Sequence, residues 1–338
     1  PTGHRAIAVG ASAGGVGAAA RRAEWCAEPA PRDRPAVAPG LSVHIVYAVP
    51  FDGPDRFAEE GPLIAADVEA IERWWRREDP TRVPRFDRYE AGCGRQLDIS
   101  RVRLGEAGAS YARYAVIGDL VDTEISLSGF DDAGTLYLVY YDGPTGLAEV
   151  CGEAGGDPEL RLGRALVYLG TCGELDRARV VAHELVHALG ALPDGAPHAC
   201  GDDAGHPCDF DADLLWPRVD GRPLEEVRLD VGRDDYYAHA GAWWDARDSV
   251  FLRRLDERTR LVVEVSGGGT VTSPLPGVAP CTRRCVTRFD GPSTVWLRPR
   301  AAPGRRFLRW EGACTARPCV LRLDGRRAAV TAVFGRAY

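Results

Sequence analysis

The stretch VVAHELVHALGALPDGAPHACGDDAGHPCDFDADLLWP, from Val180 to Pro217, decides how the rest of the chain is interpreted. Its first part contains His183 and His187, four residues apart, with Glu184 beside the first of them. On an α-helix, residues four apart lie on one face a single turn apart, so both imidazoles can reach the same metal ion. Apolar residues surround these three side chains, which predicts a buried helix. Burying two histidines and a glutamate costs free energy, so their presence there indicates a function.

This pattern is typical of a catalytic zinc site. His183 and His187 are predicted to bind one Zn²⁺ through ring nitrogens. Glu184 is turned aside from the ion, so it can hold a water molecule there and act as the general base. The helix is expected to end before Gly190, because a glycine just past a helix end lets the chain turn through a left-handed conformation.

The third ligand has to come from the segment after the helix. Asp194, His198 and His206 are all candidates, and the residue types alone do not decide between them. A different class of zinc site would take its ligand from a downstream helix, where Glu225 and Glu226 are available. The Pro- and Gly-rich sequence before those two glutamates argues against such a helix.

HELVHALG resembles the start of the metzincin motif, HExxHxxGxxH or HExxHxxGxxD, within the zincin class of metalloproteases. In that motif the third ligand stands where this chain has Pro193, and Asp194 comes one residue late. The whole stretch also resembles a group of secreted bacterial metzincin-like proteins with the pattern G-A-x-P, G-H-x-x-D and D-L-M. The matching residues are Gly190–Pro193, Gly205, His206, Asp209 and Asp213–Leu215.

The resemblance covers roughly residues 41–250 and implies a catalytic domain of that class, with His206 as the third zinc ligand. A Cys200–Cys208 disulfide would brace the loop that carries this histidine. Leu215 departs from the pattern, since metzincins have a methionine beneath the metal. Metzincins can also stabilise the oxyanion with a tyrosine, which makes Tyr236 and Tyr237 candidate catalytic residues.

Length and charge set further bounds. At 338 residues the chain can form a main domain of roughly 200 residues and a smaller one. The net charge of −7 argues against a nucleic-acid partner, because phosphate binding requires a basic face. No apolar run approaches the roughly 20 residues that span a bilayer, so no transmembrane segment is expected.

The cysteines indicate an extracellular protein. There are 10 of them and none has the spacing of a zinc ribbon, so disulfides formed in an oxidising compartment are expected. Pairing between neighbours in the sequence is our working hypothesis. The pairs would be Cys26–Cys93, Cys151–Cys172, Cys200–Cys208, Cys281–Cys285 and Cys314–Cys319.

The fold class expected from these patterns is α+β, with three parts. Residues 1–40 read as an irregular lead-in, residues 41–254 as the zincin-like domain with a mixed sheet, and residues 255–338 as a small disulfide-containing all-β domain. Strands are predicted at LSVHIVYAV, DISRVRL, TLYLVYY and RALVYLG, and a helix at PLIAADVEAIERWWRRED. TLYLVYY or RALVYLG would be the sheet edge that pairs with a substrate.

The C-terminal part resembles the β-rich repeat of internalin-type and other bacterial surface proteins. Its pattern is F-x-x-W-x-G-x-C followed by V-x-A-x-F, matched here by Phe307, Trp310, Gly312, Cys314, Val330, Ala332 and Phe334. The resemblance implies a module for attachment to a cell surface or a substrate.

Together these features predict a secreted zinc-dependent endopeptidase acting on a protein or peptide substrate. The alternatives are a non-peptidase zinc hydrolase and a catalytically inactive surface-binding protein on the same scaffold. The acid-rich sequence GDDAGHPCDFDAD could in addition hold a structural Ca²⁺, although it lacks the spacing of an EF-hand loop.

Overall fold

The computed structural model describes residues 4–8, 25–34, 41–113, 117–159, 161–171, 175–192, 195–201, 203, 205–255, 259–275, 278–289, 293–323 and 327–337. The described residues divide into two compact units. The first contains the described residues up to Leu252 and the second those from Arg253 onward. Within the described residues, no helix combines the length and the apolar character needed to cross a bilayer.

The first unit mixes helices with short strands, which agrees with the predicted α+β class at that level. Its helices are α1 (Phe57–Glu78), α2 (Gly108–Tyr111), α3 (Ile117–Leu127) and α4 (Arg177–Ala188). Its strands are β1 (His4–Ala8), β2 (Ser42–Val49), β3 (Arg82–Pro84), β4 (Arg88–Ala91), β5 (Gly94–Leu97), β6 (Ile99–Arg103), β7 (Thr135–Tyr141), β8 (Val150–Asp157), β9 (Leu162–Tyr168) and β10 (Arg218–Val219). Single turns of 3₁₀-helix lie at Leu224–Glu226 and Ala246–Asp248, and β11 (Leu252–Arg254) follows them in the chain.

Seven of these strands form one mixed sheet, in the order β10-β1-β8-β9-β7-β2-β6. The strands from β9 to β6 run parallel to one another, and β8 is antiparallel to both of its neighbours. β7 and β9 therefore lie inside the sheet with their backbone groups already paired. The prediction that TLYLVYY or RALVYLG is a substrate-binding edge is wrong.

Helices cover the sheet on both faces. On one face, α3 packs through Val121 and Ile125 against alternate side chains of the central strands, among them Val46 and Val139. α1 and α4 contact each other, and α4 lies against β8 and β9. The central strands are consequently buried on both faces, which explains their continuous apolar sequences.

The segment before residue 41 is more ordered than the sequence predicts. β1 pairs antiparallel with β8 and parallel with β10, and Ala30 forms a bridge with Ser100. The Ala- and Gly-rich composition gave no periodic signal for this strand. Its pairing depends on the backbone groups that β8 presents, which is tertiary information that the local sequence does not contain.

The end of helix α4 lies directly against the sheet, and two glycines make this possible. Gly156 of β8 and Gly163 of β9 are directly paired across the strands. A Cβ atom on Gly156 would overlap the carbonyl oxygen of Ala188, and a Cβ on Gly163 would lie 2.5 Å from the same atom. The last turn of the helix therefore rests on bare backbone.

The second unit is entirely β structure in its described residues, with two sheets around an apolar core. Its strands are β12 (Thr259–Ser266), β13 (Gly269–Thr272), β14 (Arg284–Phe289), β15 (Ser293–Ala301), β16 (Arg305–Gly312), β17 (Cys319–Leu323) and β18 (Arg327–Arg336). Four form the sheet β14-β12-β18-β16 and three the sheet β13-β15-β17. Disulfides Cys281–Cys285 and Cys314–Cys319 supplement this small core.

All the disulfides in the described residues match the expected neighbour pairing. Besides the two in the second unit, they are Cys26–Cys93 and Cys200–Cys208. Cys151 is also disulfide-bonded, but Cys172, its expected partner, lies outside the described residues.

The glycine contact predicts a position-specific cost within one strand. Gly156→Ala should lower the free energy of unfolding by about 2 kcal/mol, because the helix must move away from the sheet. Gly155→Ala is the matched control, since a Cβ there meets no atom within 4 Å, and it should change stability by less than about 0.5 kcal/mol. Urea unfolding followed by tryptophan fluorescence measures both, and equal costs would contradict the packing described.

Candidate metal centre

Helix α4 begins with a capped N-terminus and is buried along its length. Asp176 accepts a hydrogen bond from the backbone N–H of Arg179, which is the usual role of an N-cap carboxylate. The fully buried guanidinium of Arg179 in turn donates to the side chain of Asp220 and to the carbonyl of Arg222. This fixes the rotation of the helix about its axis, and with it the direction of His183 and His187.

The helix ends where the sequence predicts. Gly190 has φ of +90°, in the left-handed region that favours glycine. A Cβ there would lie 2.5 Å from Pro158 and 3.0 Å from the indole nitrogen of Trp244. The chain can turn sharply at this point into the segment that carries His206.

His206 is held by a short loop closed by the Cys200–Cys208 disulfide. Within it, the backbone N–H of Cys200 donates to the carbonyl of His206 at 2.8 Å, and the N–H of Cys208 donates to the carbonyl of His198 at 2.9 Å. The loop returns the imidazole of His206 to the face of α4 that carries the other two histidines.

The three imidazoles meet at one point. The Nε2 atoms of His183, His187 and His206 lie 3.2 Å from one another, and the three residues are at most 1% exposed. A tetrahedral zinc ion, with Zn–N distances of about 2.05 Å, holds neighbouring nitrogens about 3.3 Å apart. The spacing therefore fits a single ion bound by all three side chains.

The partners of the Nδ1 atoms determine which ring nitrogens carry protons and which present lone pairs to the centre. His183 Nδ1 lies 2.8 Å from the carbonyl oxygen of Leu214, which can only accept, so Nδ1 carries the proton. His206 Nδ1 lies 2.9 Å from a carboxylate oxygen of Asp203. Both Nε2 atoms then present lone pairs to each other, and this arrangement is repulsive unless a cation lies between them.

Burial reinforces the neutral form of His206. Removal from water lowers the pKa of this imidazole below its ordinary value, although the nearby Asp203 acts in the opposite direction. A neutral ring is the form that binds a metal ion. Asp203 was not predicted from the sequence, although its position three residues before His206 is a signal that could have identified it.

Glu184 is also completely buried, against strand β8. A Cβ on Gly152 would lie 2.7 Å from Glu184 Cγ and 2.8 Å from its carboxyl carbon, so glycine is needed to admit this side chain between helix and strand. The close approach of α4 to the sheet thus fixes the predicted base as well as the histidines.

A turn beneath His183 supplies its hydrogen-bond acceptor. The carboxylate of Asp213 accepts from the backbone N–H groups of Leu215 and Val231, each at 2.7 Å, and from the hydroxyl of Tyr236, also at 2.7 Å. Burial raises the pKa of Asp213 to about 7 in spite of these three donors. Leu215, which stands where the family pattern has methionine, is completely buried.

The two tyrosines predicted to stabilise an oxyanion are not available for that role. The hydroxyl of Tyr236 donates to Asp213 and accepts from the N–H of Asp230, while that of Tyr237 donates to Asp79 at 3.0 Å and accepts from Trp75. Both side chains are 0% exposed, and burial raises the pKa of each hydroxyl. Their hydrogen bonds support the fold, which corrects the expectation from the sequence.

Three of the other candidate ligands, His198, Glu225 and Glu226, are described, and none of them belongs to the group of three histidines. His198 is 40% exposed at its side chain and its Nδ1 lies 3.2 Å from Asp235. Glu225 and Glu226 are in a 3₁₀ turn, not on a helix facing the centre. Asp194 lies outside the described residues.

Further groups of side chains could hold a cation on distance alone. They are Asp33 with His44, Asp87 and Asp98, then His198 with Asp209 and Asp235, and Asp230 with Asp234 and Asp235. Only Asp209 of the second group comes from the acid-rich sequence expected to bind Ca²⁺, so structural calcium remains a prediction.

Comparison with known proteins leaves the family open. No family model and no curated protein sequence matches the chain, so the resemblances to metzincins and to internalin-type repeats remain predictions. Similar solved structures include catalytically inactive OgpA from Akkermansia muciniphila in complex with an O-glycopeptide, at 11% identity and a TM-score of 0.33, covering 87% of this chain and 95% of that chain. Wild-type OgpA has 13% identity and a TM-score of 0.31, covering 87% and 96%. A chaperone–substrate complex has 10% identity and a TM-score of 0.31, covering 63% and 34%. TM-scores of this size do not establish a shared fold.

A structural role for Tyr236 makes a distinct prediction. Tyr236→Phe should lower the free energy of unfolding by about 1–2 kcal/mol, because a buried N–H and a buried carboxylate each lose a partner. Tyr89→Phe is the control, since that exposed hydroxyl makes only a 3.4 Å contact with a carbonyl. Chemical denaturation measures both variants. Unchanged stability in Tyr236→Phe would show that its hydroxyl is not part of this network.

Proposed function

We propose that the protein is a secreted zinc-dependent endopeptidase whose metal is held by His183, His187 and His206. The observation that carries this proposal is the convergence of three buried Nε2 atoms at 3.2 Å, two of them with the outer nitrogen facing an acceptor. Three neutral imidazoles leave one position open on a tetrahedral ion, which is the donor set of a catalytic site rather than of a closed structural one.

In the proposed reaction, the zinc ion and the protein side chains have different roles. Zinc in such a site lowers the pKa of a water molecule to near neutrality and polarises a carbonyl oxygen. Glu184 would take the proton from the water as it attacks the peptide carbonyl, and would then pass it to the departing amine. Asp203 and the carbonyl of Leu214 would keep His206 and His183 oriented through both steps.

Secretion is part of the proposal because of the disulfides. Four are present within the described residues of the chain, and disulfides persist in oxidising compartments but are rare in the cytosol. One of them closes the loop that carries His206, so the proposed metal site itself depends on an oxidised cysteine pair.

Complete burial favours a second candidate. His183, Glu184 and His206 are 0% exposed, so a peptide could reach them only through rearrangement of the residues above the centre. A surface-binding protein that uses zinc structurally would have this closed arrangement. A non-peptidase zinc hydrolase with the same helix is a third outcome that substrate tests can reveal.

Zinc content and peptide cleavage, measured together, test the proposal. The wild-type protein should bind about one zinc ion and cleave a peptide library in a chelator-sensitive manner. Glu184→Gln should retain the metal and lose at least about 100-fold in cleavage rate, because the general base is removed. His206→Ala should lose most of the zinc, whereas His198→Ala should keep it.

The same measurements distinguish the rivals. If the wild type binds zinc but cleaves no peptide, the peptidase proposal is wrong and the surface-binding protein is favoured. If it then hydrolyses ester or other amide substrates, a non-peptidase zinc hydrolase is favoured instead. Full zinc occupancy in His206→Ala would contradict the ligand set itself.

A further inference from the structure

The two units of the chain carry opposite charge. Residues 253–338 contain 17 arginines against six acidic residues, a net charge of +11, while residues 1–252 have a net charge of −18. The overall charge of −7 conceals this separation. A basic module of this size attracts polyanions at long range, and its charge is independent of the metal centre.

Arginine on the four-stranded sheet of the second unit is partly neutralised. Among the described residues of this unit, the acidic side chains are Glu264 and Glu311, on β12 and β16. Glu264 pairs with Arg284 at 3.3 Å, and Glu311 pairs with Arg309 at 2.5 Å. Positive charge on that sheet therefore has local partners.

The outer face of the three-stranded sheet β13-β15-β17 is different. The inner side chains of these strands, including Val271, Leu297 and Leu321, belong to the core. The alternate, outward positions are occupied by Thr270, Thr272, Thr294, Trp296, Arg298, Arg300, Val320 and Arg322. The face thus combines three arginines with hydroxyls and an aromatic ring, and none of these eight residues is acidic.

The arginines and the ring form one row. Arg322 pairs across the sheet with Thr294, and then Trp296, Arg298 and Arg300 follow at alternate positions of β15. This row, which we call the basic stripe, extends about 20 Å at the rise of a β-strand. Trp296 is 43% exposed and the three arginines are exposed, with no ion pair to any residue that the structure describes.

We propose that the basic stripe binds an anionic polysaccharide. Its guanidinium groups can each pair bidentately with a sulfate or carboxylate. The exposed face of Trp296 can stack on a sugar ring between the charged groups, with the threonine hydroxyls beside it as hydrogen-bond partners. The flat, extended shape suits a polymer chain rather than a small ligand, and the disulfides place the module where glycans, not nucleic acids, are the abundant polyanions.

Binding of the full-length protein to heparin, as a sulfated polysaccharide, tests the stripe at two salt concentrations. Arg298→Gln, Arg300→Gln and Arg322→Gln combined should weaken binding about tenfold or more and reduce its salt dependence, because fewer counterions are released. The matched control combines Arg284→Gln, Arg305→Gln and Arg309→Gln on the four-stranded sheet. It removes the same charge and should weaken binding less than about threefold.

Trp296→Ala separates stacking from charge. It should weaken heparin binding several-fold and leave the salt dependence unchanged, because no ionic contact is lost. Circular dichroism confirms that each variant is folded. Equal losses in the two triple variants, equal binding of neutral dextran, or tighter binding of duplex DNA than of heparin through the same arginines would each overturn the proposal.

Discussion

His183 donates a hydrogen bond from Nδ1 to the carbonyl of Leu214, and the properties of the centre depend on this bond. A peptide carbonyl cannot donate, so the proton has to stay on Nδ1 and the lone pair on Nε2 has to face inward. The carbonyl is fixed in turn by Asp213, which gathers two backbone N–H groups and a tyrosine hydroxyl around the turn. Side chains outside the group of three histidines thus determine which nitrogen of His183, a proposed ligand, carries the proton.

The other constraint is the small gap between helix and sheet. Paired glycines in β8 and β9 receive the carbonyl of Ala188, and Gly152 receives the side chain of Glu184. Glycine is usually unfavourable within a strand, because it costs backbone entropy and packs no side chain. Glycine is nevertheless present at Gly152, Gly156 and Gly163, and it fixes the distance between helix α4 and the sheet.

Local patterns predicted the local structure well. The buried strands follow from dense runs of β-branched and aromatic residues, and the first long helix follows from a period of 3.6 residues. The helix of His183 and His187 follows from its motif and its apolar surroundings, and Gly190 ends it as expected. The sequence also singled out His206, although only through a family pattern, because its approach to α4 depends on the path of a disulfide-closed loop. Its role as a metal ligand remains a proposal.

Arrangements that depend on contacts between distant parts of the chain could not be predicted from the sequence. Whether β7 and β9 lie inside the sheet depends on strand order, and the strand before residue 41 exists because β8 offers it a partner. The hydrogen bonds of Tyr236 and Tyr237 could not be predicted for the same reason. The residue type identifies a possible donor, but the acceptors, Asp213 and Asp79, are far away in the sequence. The overall charge of −7 likewise does not reveal that residues 1–252 carry a net charge of −18 and residues 253–338 one of +11.

The disulfide between Cys200 and Cys208 has a consequence for where the proposed metal site can form. On the proposed function, the bridge would be open in a reducing cytosol, and the loop that carries His206 would lose its covalent closure. Metal capture by all three imidazoles would then be weak inside the cell that makes the protein. Oxidation of this one pair of thiols during the proposed export would complete the proposed zinc centre and restrict the proposed hydrolysis to the exterior.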